Sequence, residues 1–229
     1  MTKIAESFKA IEQRISSAAK RSGRTAEDIR LVTVTKTVDC GRINEAIAAG
    51  AKTLGENRVQ EVLEKYGNLS QDIPFHLIGH LQTNKVKYII DKVELIHSLD
   101  SMELAKEIEK RAATIGKVQQ VLIQVNVSGE ESKFGIAPEQ CLEFCTFLNT
   151  LEHLRVKGLM TMAPLGADEK QLRAVFSGLR GLSREIAKQN LPRIEMTELS
   201  MGMSGDFEIA VEEGATMVRV GTGIFGKRI

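Results

Sequence analysis

Short β-branched segments alternate with amphipathic helical segments along the whole chain, and this alternation restricts the fold more than any other feature. Within residues 119–126, Val121, Ile123 and Val125 alternate with other residues in the clearest strand pattern. Strict strand–helix alternation is typical of parallel strands joined by right-handed crossovers. We expect eight strands, at residues 31–35, 53–56, 75–79, 94–98, 119–126, 154–160, 195–199 and 216–220.

Apolar residues at helical spacing and potential capping residues indicate the intervening helices. We expect them at residues 2–20, 39–50, 59–63, 82–90, 100–115, 138–150, 172–186 and 204–213. Eight parallel strands in 229 residues favour a single closed (β/α)8 TIM barrel with an extra N-terminal helix. An open doubly wound sheet is the alternative, but the G-x-G-x-x-G sequence typical of such sheets does not follow the first strand.

The composition is that of an ordinary globular protein, with 42% apolar and 27% charged residues. Because 31 basic residues nearly balance 30 acidic ones, we expect neither a nucleic-acid nor a membrane-surface partner. Cys40, Cys141 and Cys145 lack CxxC spacing and suit a reducing compartment. Without a recognisable signal or membrane-spanning segment, we expect a cytoplasmic protein. No Pro/Gly/Ser-rich linker divides the sequence, so we expect one domain over residues 1–229, and we expect a monomer.

Polar and small residues predominate at the carboxyl ends of the expected strands, where (β/α)8 barrels place their active sites. Lys36 follows four consecutive β-branched residues. A lysine there is either solvated or uses its amine in a Schiff base, and its position alone does not decide between the two. The strand-end residues are Lys36, Asn57, His80, Ser98, Asn126, Met160, Ser200 and Gly221.

Two glycine-rich turns, Leu199–Asp206 and Arg219–Gly226, follow the last two expected strands. Glycine lets backbone N–H groups approach an anion closely. Ser204 is expected where a helix begins, so the positive end of that helix would face the same region. Tight turns alone would also explain these glycines, but the loops after strands seven and eight are the usual phosphate site of this barrel. We favour a phosphate site.

A phosphate site facing Lys36 favours pyridoxal 5'-phosphate, because this cofactor carries both a phosphate and an aldehyde that condenses with a lysine amine. The phosphate would rest on Gly221 and Thr222, and Arg219 would reach the pyridine nitrogen. Since arginine effectively never deprotonates, it would leave that nitrogen unprotonated and the ring a weaker electron sink.

Five segments resemble the pyridoxal phosphate homeostasis protein family, whose members are similar to the barrel domain of alanine racemase. The resemblance implies that Lys36 holds the cofactor as an internal aldimine and that Arg219 faces the ring nitrogen. It also implies that Asn57 lines the pocket and that the phosphate is bound by Ser200, Gly221 and Thr222. The segments are Val32–Thr37, Gly55–Glu61, His76–Lys85, Leu199–Ser204 and Val218–Gly226.

The resemblance implies a role in intracellular pyridoxal phosphate homeostasis, by storing or buffering the cofactor or delivering it to recipient enzymes. We expect no strong catalytic activity. Alanine racemase needs a second domain and a partner's tyrosine base, whereas only three residues follow Gly226 here. Tyr66 and Tyr88 belong in or beside outer helices. A low-activity racemase that pairs Lys36 with His80 or water, a cofactor-free Schiff-base aldolase and a regulatory partner protein remain alternatives.

We expect no metal site. His76 and His80 have the four-residue spacing that suits zinc on a helix. However, the residues between them indicate a strand running into a turn, so the two rings would not share a face. His80 and Gln82 belong to one of the resembling segments, but no role is assigned to either.

Overall fold

The computed structural model describes residues 1–70, 72–130 and 133–226. In these residues eight parallel strands form a closed barrel in which β8 pairs with β1 and places Arg219 opposite Val32. The predicted fold class and strand order are confirmed. The strands are β1 (Arg30–Val34), β2 (Leu54–Glu56), β3 (Phe75–Leu77), β4 (Val93–Leu99), β5 (Gln119–Gln124), β6 (Leu154–Met160), β7 (Ile194–Ser200) and β8 (Met217–Val220).

Helices on the outside of the barrel connect the strands, and α1 precedes β1 as expected. Short 3-10 helices occur at Ala26–Asp28, Thr83–Tyr88 and Pro138–Gln140. The α-helices are α1 (Lys3–Arg21), α2 (Cys40–Ala48), α3 (Val59–Tyr66), α4 (Met102–Thr114), α5 (Cys141–Leu148), α6 (Glu169–Ala187), α7 (Phe207–Glu212) and α8 (Thr222–Phe225).

Two helix predictions need correction. The segment predicted as a helix over residues 82–90 contains the 3-10 helix Thr83–Tyr88, whose cap lacks a side-chain hydrogen bond. Helix α7 begins at Phe207 rather than at Ser204 because residues 203–206 close a turn. In that turn the Met203 N–H donates to the Asp206 carboxylate, and the Asp206 N–H donates to the Met203 carbonyl at 3.1 Å. Ser204 therefore lies in a loop.

Apolar residues pack in two separate regions. The larger fills the space between the barrel and its helices. The smaller lies within the barrel, where Ile78 and Met162 pack against it. Alternate residues of a strand face opposite sides of a sheet, so the two regions come from the two faces of the same strands. The buried apolar residues of the barrel interior are Val32, Leu95, Leu122, Met160 and Met217.

Helix α1 supports the end of the barrel where β8 runs into α8. Its buried face includes Phe8 and Ile11. A side chain on Gly223 would stand 3.1 Å from the Ile11 Cδ1 atom, so the α1 helix packs directly on the β8–α8 turn. Arg14 forms an ion pair of 2.6 Å with Glu208 of α7. In the described part of the chain, no helix is long and apolar enough to cross a membrane.

Candidate active site

A cavity of about 250 Å³ opens at the carboxyl ends of the strands. It brings together Lys36, Asn57, Arg219, Gly221 and Thr222, which come from three separate parts of the chain. These are five of the six cofactor-binding residues expected from the sequence. The other lining residues are Val34, Ile78, Met162, Met203, Ser204 and Gly205. The cavity thus has one cationic side, one glycine-rich side and apolar walls.

The turn that carries Lys36 is held in an unusual backbone conformation. Thr37 has φ of 61°, a left-handed value that is rare for a β-branched residue. Its N–H donates to the Glu61 carboxylate at 2.5 Å, and the same oxygen accepts a 2.9 Å bond from Lys65 Nζ. A charged acceptor on a neighbouring helix therefore fixes the residue that follows Lys36.

Lys65 lies at the centre of this support. It is buried, and its Nζ donates to the Thr35 carbonyl at 2.8 Å and to Glu56 Oε1 at 2.7 Å. Burial raises the pKa of Glu56, while the bonds from Lys65 and Thr35 oppose that shift. Burial also acts to raise the pKa of Glu61, but the bonds from Thr37 and Lys65 outweigh it and leave the pKa lowered. The amine of Lys65 thus stabilises the backbone and carboxylates next to the Lys36 turn.

Asn57 occupies the wall of the cavity with its amide oxygen buried. Among the described residues this Oδ1 atom has no hydrogen-bond partner. A side chain on Gly79 would stand only 2.3 Å from the Asn57 carbonyl oxygen, so the two backbones touch and Asn57 is held in place. A buried polar atom without a partner costs stability, and a ligand with a donor would remove that cost.

Arg219 forms the floor of the cavity and is 4% exposed. Its Nη1 donates to Ser200 Oγ at 2.6 Å and its Nη2 to the Thr161 carbonyl at 2.9 Å, which fixes the plane of the guanidinium. Burial lowers the pKa of Arg219 to about 10, and the Asp206 carboxylate opposes this shift. The side chain is therefore cationic at neutral pH.

Ser200 is the one expected residue that the fold does not bring to the cavity. It is fully buried, and its Oγ lies between Arg219 and His97 Nδ1, at 2.9 Å from the latter. Ser204, four residues later, lines the cavity instead, and its Oγ accepts a 3.3 Å bond from the Gly223 N–H. Both serines belong to one glycine-rich segment, and only the orientation of the strand end distinguishes them.

The turn after β8 brings backbone close to the cavity. A side chain on Gly221 would stand 3.1 Å from the Val34 carbonyl oxygen, tighter than an ordinary contact. Thr222 is the first residue of α8, and the first N–H groups of a helix lack acceptors within that helix. A second, larger cavity of about 1060 Å³ also borders Lys36, Gly221 and Thr222.

The remaining candidate groups lie away from the cavity. His80 is not among the residues that line it, and has its Nδ1 3.4 Å from the Asp100 carboxylate and its ring stacked on Phe134 at 4.1 Å. Tyr66 packs against Phe75, and Tyr88 is 42% exposed. Neither tyrosine is among the residues that line the cavity. In the described residues no group of three His, Cys, Asp or Glu side chains is arranged to hold a metal ion.

Comparison with known proteins places the chain among relatives of similar length. Residues 7–228 match the family model of the alanine racemase N-terminal domain. A pyridoxal phosphate homeostasis protein of Aquifex aeolicus is 46% identical over 97% of both chains. The structure of PipY from Synechococcus elongatus with pyridoxal phosphate bound is 36% identical, with a TM-score of 0.82 over 94% of this chain and 100% of that one.

A more distant likeness concerns the fold alone. An alanine racemase of Clostridium difficile superposes with a TM-score of 0.76 at 16% identity, over 97% of this chain and 57% of that one. The barrel is therefore shared with racemases, whereas the full-length matches are to the homeostasis proteins. On these matches, the chain belongs to the pyridoxal phosphate homeostasis protein family.

Proposed function

We propose that this protein binds pyridoxal 5'-phosphate through Lys36 and helps to maintain the cellular supply of that cofactor. One observation carries the proposal. The same cavity is lined by a lysine, a buried arginine and a glycine-rich turn. These three features match the aldehyde, the ring nitrogen and the phosphate of this cofactor. The bound cofactor would supply an aldehyde that reacts reversibly with amines. The PLP-bound relative supports the choice of ligand.

In this proposal, different residues of the cavity contact different parts of the cofactor. We place the Lys36 amine at the aldehyde and the Arg219 guanidinium at the ring nitrogen. Asn57 Oδ1 offers an acceptor in the wall. Gly221 and Thr222 supply backbone N–H groups and a hydroxyl to the phosphate, because a glycine there lets the anion approach the backbone.

Ser204 is the serine that we propose for the phosphate, since its hydroxyl lines the cavity beside the β8–α8 turn. Ser200 has a different part in this proposal. Its Oγ accepts a hydrogen bond from Arg219 and so positions the guanidinium rather than the phosphate.

We propose that the protein holds the cofactor without using it for rapid catalysis, as the names of its relatives suggest. A racemase needs an acid or base on each face of the reacting carbon. Among the described residues lining the 250 Å³ cavity, only Lys36 is a candidate for such a group, because Arg219 stays protonated and no histidine, carboxylate or tyrosine is present. Release would need only an incoming amine, such as one on a recipient enzyme, to take the place of the Lys36 amine at the aldehyde carbon, which would leave Lys36 as a free amine.

An absorbance titration tests cofactor binding. Adding pyridoxal phosphate to the protein should produce a visible band that borohydride removes, and Lys36→Ala should abolish that band. Lys52→Ala is a matched control because Lys52 borders a different cavity, formed with Glu12 and Arg30. An unaltered band in Lys36→Ala, or no band in the wild type, would contradict the proposal.

A separate assay tests the absence of strong catalysis. The rate at which the loaded protein racemises alanine and other amino acids should exceed the rate with free pyridoxal phosphate by no more than a small factor. Racemisation by the wild type at several turnovers per second, lost in Lys36→Ala, would establish the racemase alternative instead.

A further inference from the structure

A column of polar side chains runs through the interior of the barrel beneath the cavity. It includes Arg219, Ser200, His97 and His76, which come from β8, β7, β4 and β3 and are between 0% and 4% exposed. Barrel interiors of this type are normally filled with branched apolar side chains. Burying four polar groups there therefore lowers the stability of the fold unless each group has a hydrogen-bond partner.

The distances connect the column into a continuous chain. Ser200 Oγ lies 2.6 Å from Arg219 Nη1 and 2.9 Å from His97 Nδ1. His97 Nε2 lies 3.0 Å from His76 Nδ1. His76 Nε2 then faces the Glu94 carboxylate at 3.6 Å, which is longer than a hydrogen bond but within the range of an electrostatic contact.

The column ends at solvent on the opposite side of the barrel from the cavity. Glu94 is near the amino end of β4, and its side chain is 42% exposed. It also faces Arg30, the first residue of β1, at 3.5 Å. The column thus joins the floor of the cofactor cavity to the far face of the barrel.

The two ends of the column set the direction of its hydrogen bonds. An arginine only donates, so Ser200 Oγ accepts from Arg219 and its own hydrogen is available to His97 Nδ1. His97 then carries its proton on Nε2 and donates to His76 Nδ1. His76 in turn carries its proton on Nε2, directed at the Glu94 carboxylate. The reverse direction would place a nitrogen lone pair of His76 against that carboxylate.

Both histidines are neutral in this arrangement. Burial lowers the pKa of His97 well below its ordinary value, and the nearby His76, Arg219 and Arg30 lower it further. Burial also lowers the pKa of His76, although Glu94 opposes the shift. A neutral imidazole donates from one nitrogen and accepts at the other, as a directed chain requires.

We propose that His97 and His76 are positioning residues that hold the Arg219 guanidinium, through Ser200, in a fixed orientation under the cofactor cavity. Ser200 needs an acceptor for its hydrogen if its lone pair is to stay directed at Arg219, and His97 Nδ1 is that acceptor. His76 fixes the tautomer of His97. The inference rests on the proposed function only where it concerns the bound cofactor, because the column itself belongs to the protein alone.

The first measurement examines the column without cofactor. Nitrogen-15 NMR of the imidazole rings should show both His97 and His76 with a protonated Nε2 and an unprotonated Nδ1 at neutral pH. Either ring in the opposite tautomer, or charged, would overturn the direction of the chain and with it the positioning role. This measurement remains decisive even if the protein binds no pyridoxal phosphate, an outcome that would refute the proposed function instead.

The second measurement compares His97→Phe with His97→Asn in the loaded protein. Phenylalanine removes both nitrogens, whereas the amide oxygen of asparagine can still accept from Ser200. We expect His97→Phe to weaken cofactor affinity about tenfold, the effect of losing one charge-assisted hydrogen bond. It should also shift the pH profile of the absorption band, and His97→Asn should restore most of both.

The control is His153→Phe, which removes a histidine that pairs with Glu109 away from the column. It should leave the affinity and the pH profile unchanged. If His97→Phe folds and matches this control in both readouts, the column only fills the barrel and the positioning role is wrong. If His97→Phe does not fold, the positioning role is tested by the tautomers of the wild type and by the pH profile of the absorption band in His97→Asn.

Discussion

At the scale of single residues, close backbone contact positions the site. The Lys36 turn depends on the left-handed Thr37 and its bond to Glu61. Asn57 depends on Gly79, whose missing side chain leaves room for the Asn57 carbonyl. Neither contact involves the cofactor directly, yet each determines where a cavity-lining residue stands.

Gly79→Ala should therefore reduce both stability and cofactor affinity. The added carbon would lie 2.3 Å from the Asn57 carbonyl oxygen, so the backbone must move. Forcing a methyl group into a packed position typically costs about 1–3 kcal/mol. Urea unfolding measures the first effect, and an absorbance titration measures the second.

Gly67→Ala is the matched control, because nothing lies within 4 Å of its added carbon and its φ is negative at −83°. It should change neither quantity appreciably. Equal effects of the two substitutions would show that the contact between Gly79 and Asn57 does not matter.

The residue scale is also where the sequence was least informative. Lys36, Asn57, Arg219, Gly221 and Thr222 stand at or just beyond strand ends, and the barrel brings strand ends together. The side-chain direction at such an end is not evident without the register. Ser200 is the last residue of β7 and faces inward, so it meets Arg219 below the cavity.

At the scale of elements, eight strands with intervening helices could be predicted from periodicity alone. The least accurate prediction was the helix over residues 82–90, which begins with four polar residues and forms the 3-10 helix Thr83–Tyr88. The polar column could not be found this way, because His76 and His97 are meaningful only once β3, β4, β7 and β8 surround one interior.

The connection between β2, α3 and the Lys36 turn depends on one buried ion pair. Lys65→Met should cost about 3 kcal/mol at pH 7.5, because it leaves the buried Glu56 carboxylate without its cation. Burial then raises the folded-state pKa of Glu56 further above its unfolded value. The penalty should thus be small below the unfolded pKa and grow as pH rises towards the folded one.

Urea unfolding of Lys65→Met at several pH values measures this penalty, with the exposed neighbour substitution Glu64→Gln as a control for altered charge. The double variant Glu56→Gln with Lys65→Met should recover part of the loss. A penalty that does not depend on pH would contradict the ion-pair explanation.

At the scale of the whole molecule, the barrel has the proposed cofactor cavity at one end and a charged cluster of Glu94 and Arg30 at the other. Two buried neutral histidines join them. Their burial has a consequence for global stability that does not require any ligand, because unfolding exposes both rings to water.

The free energy of unfolding should fall as pH decreases below about 6.5, the ordinary pKa of histidine. In that range the unfolded chain takes up protons that His76 and His97, with lowered pKa values, do not. Each histidine contributes a slope of up to about 1.4 kcal/mol per pH unit, until pH reaches its folded-state pKa. Urea unfolding between pH 7.5 and 5 measures the slope.

His97→Phe should reduce this slope by the contribution of one buried histidine, because the variant has no imidazole at position 97 to take up a proton on unfolding. An identical slope in His97→Phe and the wild type would show that His97 is not a neutral buried group.

The central claim is that Lys36 is the residue that holds the cofactor, and mass spectrometry after borohydride reduction tests it most directly. The protein is loaded with pyridoxal phosphate, reduced and digested, and the modified peptide is identified. We predict one adduct per chain, on Lys36. An adduct mainly on another lysine, such as the cavity-adjacent Lys133 or the buried Lys65, or no adduct at all, would contradict the account.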